Sequence, residues 1–294
     1  MKRYIAWLLT FLLICMTGVA MATEKDNGVW RYAINGGKAT IISYNGSERK
    51  IMFPSELDGC PVTQIGKGGS GSVVWINDFY TCELVFPESV EIIAGGFFTL
   101  GEFKKIVIPA SVKAIMNGAF SIVACTAIEF AGAPETIGDY AFSETYGGFK
   151  SIKINEGTRT LGKCCFSASD RLATVSLPAS LESFGDEAFS NCPKLSKITF
   201  AEGSQLTTIP EGSFISCTAL KSIELPESIE SIGVNAFYGC KKLVKITIPQ
   251  SVVSIDSTAF DGCPKKLTFT VIEGSYAEKW ATENGFKVKV AKAK

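Results

Sequence analysis

The sequence predicts a right-handed solenoid with coils of about 23 residues, each contributing one short strand to a parallel sheet. A β-hairpin is expected to cap its N-terminal end, and a helix followed by a strand its C-terminal end. Two adjacent stretches almost repeat each other, so that Pro226 and Pro249, like Phe237 and Phe260, lie 23 positions apart. A fixed period of this size is typical of stacked coils, because one coil cannot bury its own apolar face.

Residues 1–22 have the pattern of a secretory signal peptide. Two basic residues open the segment, an apolar run follows, and alanines stand at the two positions that a signal peptidase recognises. We therefore predict cleavage after Ala22 and a secreted or cell-surface protein with no membrane span in the mature chain. Cys15 leaves a lipoprotein open as an alternative, although the bulky Ile14 precedes it where a small residue is expected.

Residues 23–80 are interpreted as an N-terminal β cap followed by a first, degenerate repeat. The segment 29–44 alternates around Asn-Gly turns, which is typical of a hairpin. The glycine-rich run 67–72 indicates a flexible loop, since no Gly-Lys-Ser/Thr sequence closes it as a phosphate-binding loop would. Trp75, beside this loop, is left open as a core residue or an exposed binding residue.

Residues 81–271 are predicted to form the repeats, with one phenylalanine marking the register of each coil. These phenylalanines recur at nearly regular intervals, in the row Phe98, Phe120, Phe142, Phe166, Phe189, Phe214, Phe237 and Phe260. Five positions before each lies an apolar residue of a second row, Ile93, Ile115, Ile137, Leu161, Phe184, Ile209, Ile232 and Ile255. We predict that both rows are buried and that each ring packs between the coils above and below it.

A short apolar–variable–apolar run precedes each phenylalanine, as at residues 106–108, 223–225 and 246–248. Such alternation indicates a strand with one buried face. Five of these runs end at a proline, which suits the exit of a strand because proline cannot donate to a ladder. Stacking should therefore give a parallel sheet along one wall, with the two apolar rows on the opposite wall.

Residues 272–294 are predicted to close the last coil with a helix and a strand. Ser275 and Glu278 have the spacing of a capping box at a helix start, and an Asn-Gly pair is a typical helix stop. Alternating apolar residues from Phe286 onward predict the final strand.

The repeat resembles that of the BspA-like leucine-rich repeat proteins, L-x-x-I-x-I-P-x-S-V-x-x-I-x-x-x-A-F-x-x-C. Residues 220–240 and 243–263 match it almost completely, whereas the coils of Phe142 and Phe166 lack the Pro-x-Ser element. The ending at residues 274–285 is also similar to that of the family. The resemblance implies a leucine-rich-repeat solenoid in a bacterial secreted or cell-surface protein that attaches to host or microbial proteins.

Charge balance and the lack of histidine exclude several function classes. The chain has 29 basic and 29 acidic residues, and without residues 1–22, which hold two basic residues, the balance is 27 − 29 = −2. We therefore expect no long-range field that attracts nucleic acid or anionic lipid. Without histidine there is no Ser-His-Asp or Cys-His nucleophile and no histidine-ligated metal. We predict no catalytic residues, no metal and no cofactor.

Ten cysteines are present, and a row of them lies three residues after the phenylalanine of its coil: Cys192, Cys217, Cys240 and Cys263. Cys125 has a similar place after Phe120. Equivalent positions should line up about 4.8 Å apart, which gives a packing column and not a tetrahedral metal site. Free buried thiols are therefore expected. Cys164 with Cys165, and Cys60 with Cys82, are left open as redox partners in an oxidising compartment.

The variable strand positions should face solvent on a concave wall and are the candidate binding face. They are small, hydroxylated or mixed in charge, with no aromatic side chain among sixteen. The residues selected as this face are Lys105, Val107, Glu129, Lys153, Ser176, Lys197, Thr199, Ser222, Glu224, Lys245 and Thr247.

Such a face favours an exported, non-enzymatic adhesion or interaction module that binds extracellular or cell-surface proteins. A solvated sheet without a ligand is the plain alternative. A glycan-binding accessory domain that uses Trp75 is the alternative function. A hydrolase with Glu129 and Glu224 as its carboxylate pair is disfavoured, because four coils would separate them by about 19 Å.

Overall fold

The computed structural model describes residues 23–68, 82–98 and 101–291. The predicted signal peptide with Cys15, residues 69–72 of the glycine-rich run and Trp75 lie outside the described residues. Within those ranges the chain forms a β-solenoid of parallel strands with one α-helix near its C-terminal end. The predicted fold class is confirmed.

The N-terminal cap is a small antiparallel sheet that continues into the solenoid. Strands β1 (Thr23–Asp26), β2 (Trp30–Asn35) and β3 (Lys38–Tyr44) pair antiparallel, and a glycine pair with positive φ turns the chain between β2 and β3. The short β5 (Glu56–Leu57) folds back on β6 (Cys60–Ile65), and β6 pairs parallel with β3. The hairpin cap expected from the Asn-Gly turns is therefore present.

The first wall of the solenoid carries the strands that the alternating runs predict. They are β4 (Lys50–Met52), β7 (Glu83–Val85), β10 (Ile106–Ile108), β13 (Ile128–Phe130), β15 (Ser151–Lys153), β17 (Thr174–Leu177), β19 (Lys197–Phe200), β21 (Ser222–Glu224), β23 (Lys245–Thr247), β25 (Thr268–Ile272) and β26 (Lys287–Ala291). All pairings between them are parallel. One face of these strands points inward and carries apolar residues such as Ile106, Ile152 and Ile246, which are almost fully buried.

A second wall carries a ladder of two-residue strands that the sequence did not predict. These are β8 (Ile92–Ile93), β11 (Ala114–Ile115), β14 (Thr136–Ile137), β16 (Thr160–Leu161), β18 (Ser183–Phe184), β20 (Thr208–Ile209), β22 (Ser231–Ile232) and β24 (Ser254–Ile255). Each coil from β7 to β24 thus has at least two strands, where one was expected. The apolar residue predicted in the second row is the buried member of each of these pairs. A minor pair joins β9 (Glu102–Phe103) and β12 (Ala124–Cys125).

The core is a column of phenylalanine rings between the two walls. Neighbouring rings from Phe98 to Phe260 have centroids 4.9–5.9 Å apart and planes within 17° of parallel. All eight rings of the predicted row are buried, as are the eight residues of the second row. Phe53 covers the column at one end, where its ring contacts Trp30 and Phe98, and Trp280 covers it at the other.

Helix α1 (Tyr276–Glu283) closes the C-terminal end of the column. Ser275 caps it, because its hydroxyl accepts a hydrogen bond from the backbone N–H of Glu278 at 3.2 Å. The Glu278 carboxylate accepts in turn from the N–H of Gly274 at 2.6 Å, one residue before the position that a capping box uses. The helix buries Trp280 against Phe260 and Phe269.

Gly162 marks a close approach between two coils. A Cβ added there would overlap with the backbone nitrogen of Asp139 and the carbonyl carbon of Gly138. Because backbone atoms of the neighbouring coil cannot move aside without opening the stack, we expect Gly162→Ala to lower the free energy of unfolding by about 1–3 kcal/mol. Urea unfolding followed by circular dichroism measures this change.

Met116→Ala is the control for this prediction. Met116 has the position equivalent to Gly162 two coils earlier, and its side chain is exposed. Truncating it should change the free energy of unfolding by no more than about 0.5 kcal/mol. Equal stability of the Gly162→Ala protein and the parent would show that the coils accommodate the methyl group.

Candidate functional site

The predicted binding residues lie on the solvent side of the first-wall strands, a surface called the strand face below. Lys105, Val107, Glu129, Lys153, Lys197, Ser222, Glu224 and Lys245 are exposed, whereas Ser176, Thr199 and Thr247 are half-buried. The pairing register places them in two rows along the solenoid axis. Their use in binding stays a prediction.

Contacts within the strand face are few and exposed to solvent. The Lys105 amine lies 2.8 Å from a carboxylate oxygen of Glu129 on the next strand. The Thr199 hydroxyl donates to the Ser176 hydroxyl at 3.2 Å. Exposed pairs of this kind add at most about 1 kcal/mol each to stability, so the face is not held in one arrangement by its polar groups.

Among the described first-wall strands the ladder is interrupted at three places, and an open cavity lies at each. The breaks fall between β7 and β10, between β13 and β15, and between β19 and β21. The cavities measure about 560, 440 and 690 Å³ respectively. The largest is lined by strand-face residues including Lys197, Ser222, Glu224, Lys245 and Thr247.

Differences in coil length explain two of the breaks. The interval from Phe189 to Phe214 is the longest in the phenylalanine row, and the extra backbone forms the loop around positions 201–204 that borders the largest cavity. The interval from Phe142 to Phe166 is the next longest, and Gly148 within it lies in the cavity beside β15. Extra backbone in one coil shifts its strand out of register with the neighbouring coil and opens the ladder.

The structure does not bring together Glu129 and Glu224, the carboxylates considered as a hydrolase pair. Glu129 lies on β13 and contacts Lys105, whereas Glu224 lies on β21 in a different segment of the ladder. The described residues also hold no group of three or more cysteine, aspartate or glutamate side chains that could bind a metal ion.

Comparison with known families identifies the repeat. The model of the BspA type leucine-rich repeat region matches residues 60–147 and 135–267, with six copies. This chain belongs to the BspA-type leucine-rich repeat family.

Solved structures similar to this BspA-type chain come from several bacteria. A leucine-rich cell surface protein from Faecalibacterium prausnitzii is 22% identical, with 90% of this chain and 98% of that chain covered and a TM-score of 0.44. A leucine-rich repeat protein from Bacteroides ovatus is 20% identical, with 94% and 100% covered and a TM-score of 0.39. The leucine-rich repeat protein of T. pallidum is 18% identical, with 92% and 100% covered and a TM-score of 0.34. A search of curated proteins finds no match.

The cysteine row has a specific role in the BspA-type coil. The thiols of Cys192, Cys217, Cys240 and Cys263 are free, and each donates a hydrogen bond to the backbone carbonyl of the phenylalanine one coil back, at 3.1–3.3 Å. Burial raises the pKa of Cys192 to about 12 and also raises the pKa values of Cys217 and Cys240. These thiols therefore stay protonated and link neighbouring coils.

The other cysteines do not share this arrangement. Cys125 lies on β12, and its thiol donates to the carbonyl of Ala127 at 2.9 Å, so the similar place that the sequence suggested is wrong in detail. Cys164 and Cys165 are buried free thiols. Cys60 is half-buried on β6, and Cys82 is buried directly before β7.

Helix α1 is too short to cross a membrane, since it has eight residues. No helix in the described ranges is long and apolar enough to span a bilayer.

Proposed function

We propose that the protein is an exported, non-enzymatic interaction or adhesion module whose strand face contacts extracellular or cell-surface proteins. The observation that carries this proposal is the long, exposed, polar strand face on a scaffold whose ring column is buried from end to end. Solenoids use such extended surfaces for recognition, because stacked coils hold many side chains in fixed register. Attachment to proteins is also what membership of the BspA-type family implies.

The composition supports a role without catalysis. The sequence contains no histidine, the side chain best suited to proton transfer near neutral pH. Glu129 and Glu224, the carboxylates considered as a hydrolase pair, are on separate ladder segments. Export rests on the predicted signal peptide at residues 1–22.

The test is capture of extracellular matrix and cell-surface proteins on the immobilised protein, with a matched pair of variants. Ser222→Tyr places a bulky neutral side chain on β21 of the strand face, and Ser254→Tyr places the same side chain on β24 of the second wall; both serines are exposed. A captured partner should bind the first variant at least about tenfold more weakly, because a large side chain separates the two surfaces.

The second variant should bind the partner as the parent does. Failure to capture any protein above background, or equal loss in the two variants, would contradict recognition through the strand face. Circular dichroism of both variants checks that the fold is retained.

A further inference from the structure

The last five strands of the first wall and the turns leading into them form a strongly basic surface, called the lysine face below. In the ranges 193–200, 218–224, 241–247, 264–272 and 287–291 there are ten lysines and one acidic residue, Glu224. All ten lysines are exposed: Lys194, Lys197, Lys221, Lys241, Lys242, Lys245, Lys265, Lys266, Lys287 and Lys289.

These lysines are not neutralised by neighbouring acids. Among the described residues, no carboxylate forms an ion pair with any of the ten amines within 4.0 Å. Basic side chains beside the second wall behave differently, since Lys113 pairs with Glu91 at 3.2 Å and Arg159 with Glu182 at 2.7 Å. Unpaired like charges repel one another, so the lysine face does not contribute to folding stability through its charges.

The rest of the same coils carries the balancing negative charge. The acidic residues lie in the loops after the first-wall strands and on the turns of the second wall, at Glu202, Glu211, Glu227, Glu230, Asp256 and Asp261. In these coils, the exposed lysines and these acidic residues therefore lie on different sides. The expectation that the chain has no attractive field for anions does not hold for this side of the solenoid.

The lysines recur along the solenoid axis. The pairing register puts Lys245, Thr268 and Lys287 in one row, and Lys197 has the equivalent position on β19. At one strand spacing per coil, the unbroken ladder from β21 to β26 extends over about 14 Å, and Lys197 lies on β19 across the break. A linear ligand along the axis would meet positive charge at successive coils.

We propose that the lysine face binds a linear anionic polysaccharide that lies along the solenoid axis. Lysine is a compact point charge without the planar fork of arginine, and it suits carboxylate or sulfate groups that recur along a chain and need no fixed bidentate geometry. Hydroxyl groups of Ser222, Thr268 and Thr247 lie between the lysines and can bond to sugar oxygens. The site overlaps the C-terminal part of the strand face, with which it shares Lys197, Ser222 and Lys245.

Other polyanions fit this surface less well. The five ranges of the lysine face contain no arginine and no exposed aromatic side chain. Single-stranded nucleic acid is bound largely by stacking of bases on aromatic rings, which these ranges also lack at their surface. Binding of an uncharged sugar requires an aromatic side chain that stacks on its face, whereas a polysaccharide recognised through its charges does not require one.

The test measures binding of the purified protein to heparin and polygalacturonate, with dextran as the uncharged probe. We expect both anionic probes to bind, dextran not to bind, and affinity to fall as salt is raised. The triple variant Lys197→Gln, Lys245→Gln, Lys287→Gln should bind at least about tenfold more weakly, since each exposed charge contact contributes a few-fold.

The control changes net charge by the same amount at three other exposed lysines. Lys113→Gln, Lys163→Gln, Lys279→Gln should keep the affinity of the parent within about twofold. Equal weakening in the two triple variants, no binding to either anionic polysaccharide at low salt, or tighter binding to poly-glutamate or single-stranded DNA of the same charge would each overturn the proposal. The two proposals are distinguished by their probes, because the first is judged by the proteins captured and this one by binding of heparin and polygalacturonate.

Discussion

Replacing Phe237 by alanine is expected to lower the free energy of unfolding by about 3–5 kcal/mol. The ring is fully buried, and its centroid lies 5.3 Å from that of Phe214 and 5.2 Å from that of Phe260. Its removal leaves a cavity that faces two coils, and a one-dimensional stack has no other contacts through which those coils can compensate. Urea unfolding followed by circular dichroism measures the change.

Tyr238→Ala is the matched control, one residue further along the same coil. Tyr238 is 46% exposed, so its truncation removes little buried area and should change the free energy of unfolding by no more than about 0.5–1 kcal/mol. Similar losses for the two variants would mean that the ring column does not hold the coils together. A broad or two-step unfolding curve for Phe237→Ala alone would indicate that the stack separates at that coil.

The ring column could be predicted from the sequence because stacking constrains it in every coil. Phe142 and Phe166 are contacted by the coils on both sides, so a residue of another size would disturb two interfaces at once. That constraint leaves a fixed period in the sequence, even in the two coils that lack the Pro-x-Ser element. The N-terminal hairpin was predictable for a local reason, since its turn needs two residues with positive φ.

The second ladder could not be predicted, because two residues are too few to show alternation. Thr136 and Ile137, or Ser183 and Phe184, provide one buried side chain per strand, and the same pattern occurs in many turns. Two of the ladder breaks did leave a signal, namely the lengthened intervals before Phe166 and Phe214. A long interval between two phenylalanines can nevertheless be interpreted as a break in the ladder only when the position of the neighbouring coil is known.

The sequence could predict that the candidate surface is exposed, but it could not predict that the charges gather on one side of the solenoid. Alternation places Lys197 and Lys245 outside because Ile198 and Ile246 must lie inside. Whether exposed charges gather on one side depends on which coil positions become neighbours after stacking, and a net charge summed over the chain has lost that information. Residues that face solvent are not constrained by stacking, so the repeat period at these positions gives no information about a ligand.

Alkaline pH is expected to destabilise the protein steeply through the buried cysteine column. Burial raises the pKa of Cys192 from 9.0 to about 12 and raises the pKa values of Cys217 and Cys240 in the same direction. A thiol whose folded pKa exceeds its unfolded pKa stabilises the fold fully below pH 9 and loses that contribution as pH rises from 9 towards the folded pKa. Between pH 9 and the folded pKa, each such thiol lowers the free energy of unfolding by about 1.4 kcal/mol for every pH unit. The three thiols together lower it by about 4 kcal/mol for every pH unit.

Urea unfolding at several pH values between 7 and 10, with a reductant present, measures this dependence. The double variant Cys192→Ala, Cys217→Ala should lose about 3 kcal/mol per pH unit of the alkaline slope, because only one of the three thiols remains to ionise on unfolding. Ser190→Ala, which removes a buried hydroxyl that does not titrate in this range, should keep the slope of the parent. An alkaline slope that is the same in the double variant and the parent would mean that these thiols do not control the pH dependence, and that other groups ionise when the coils separate.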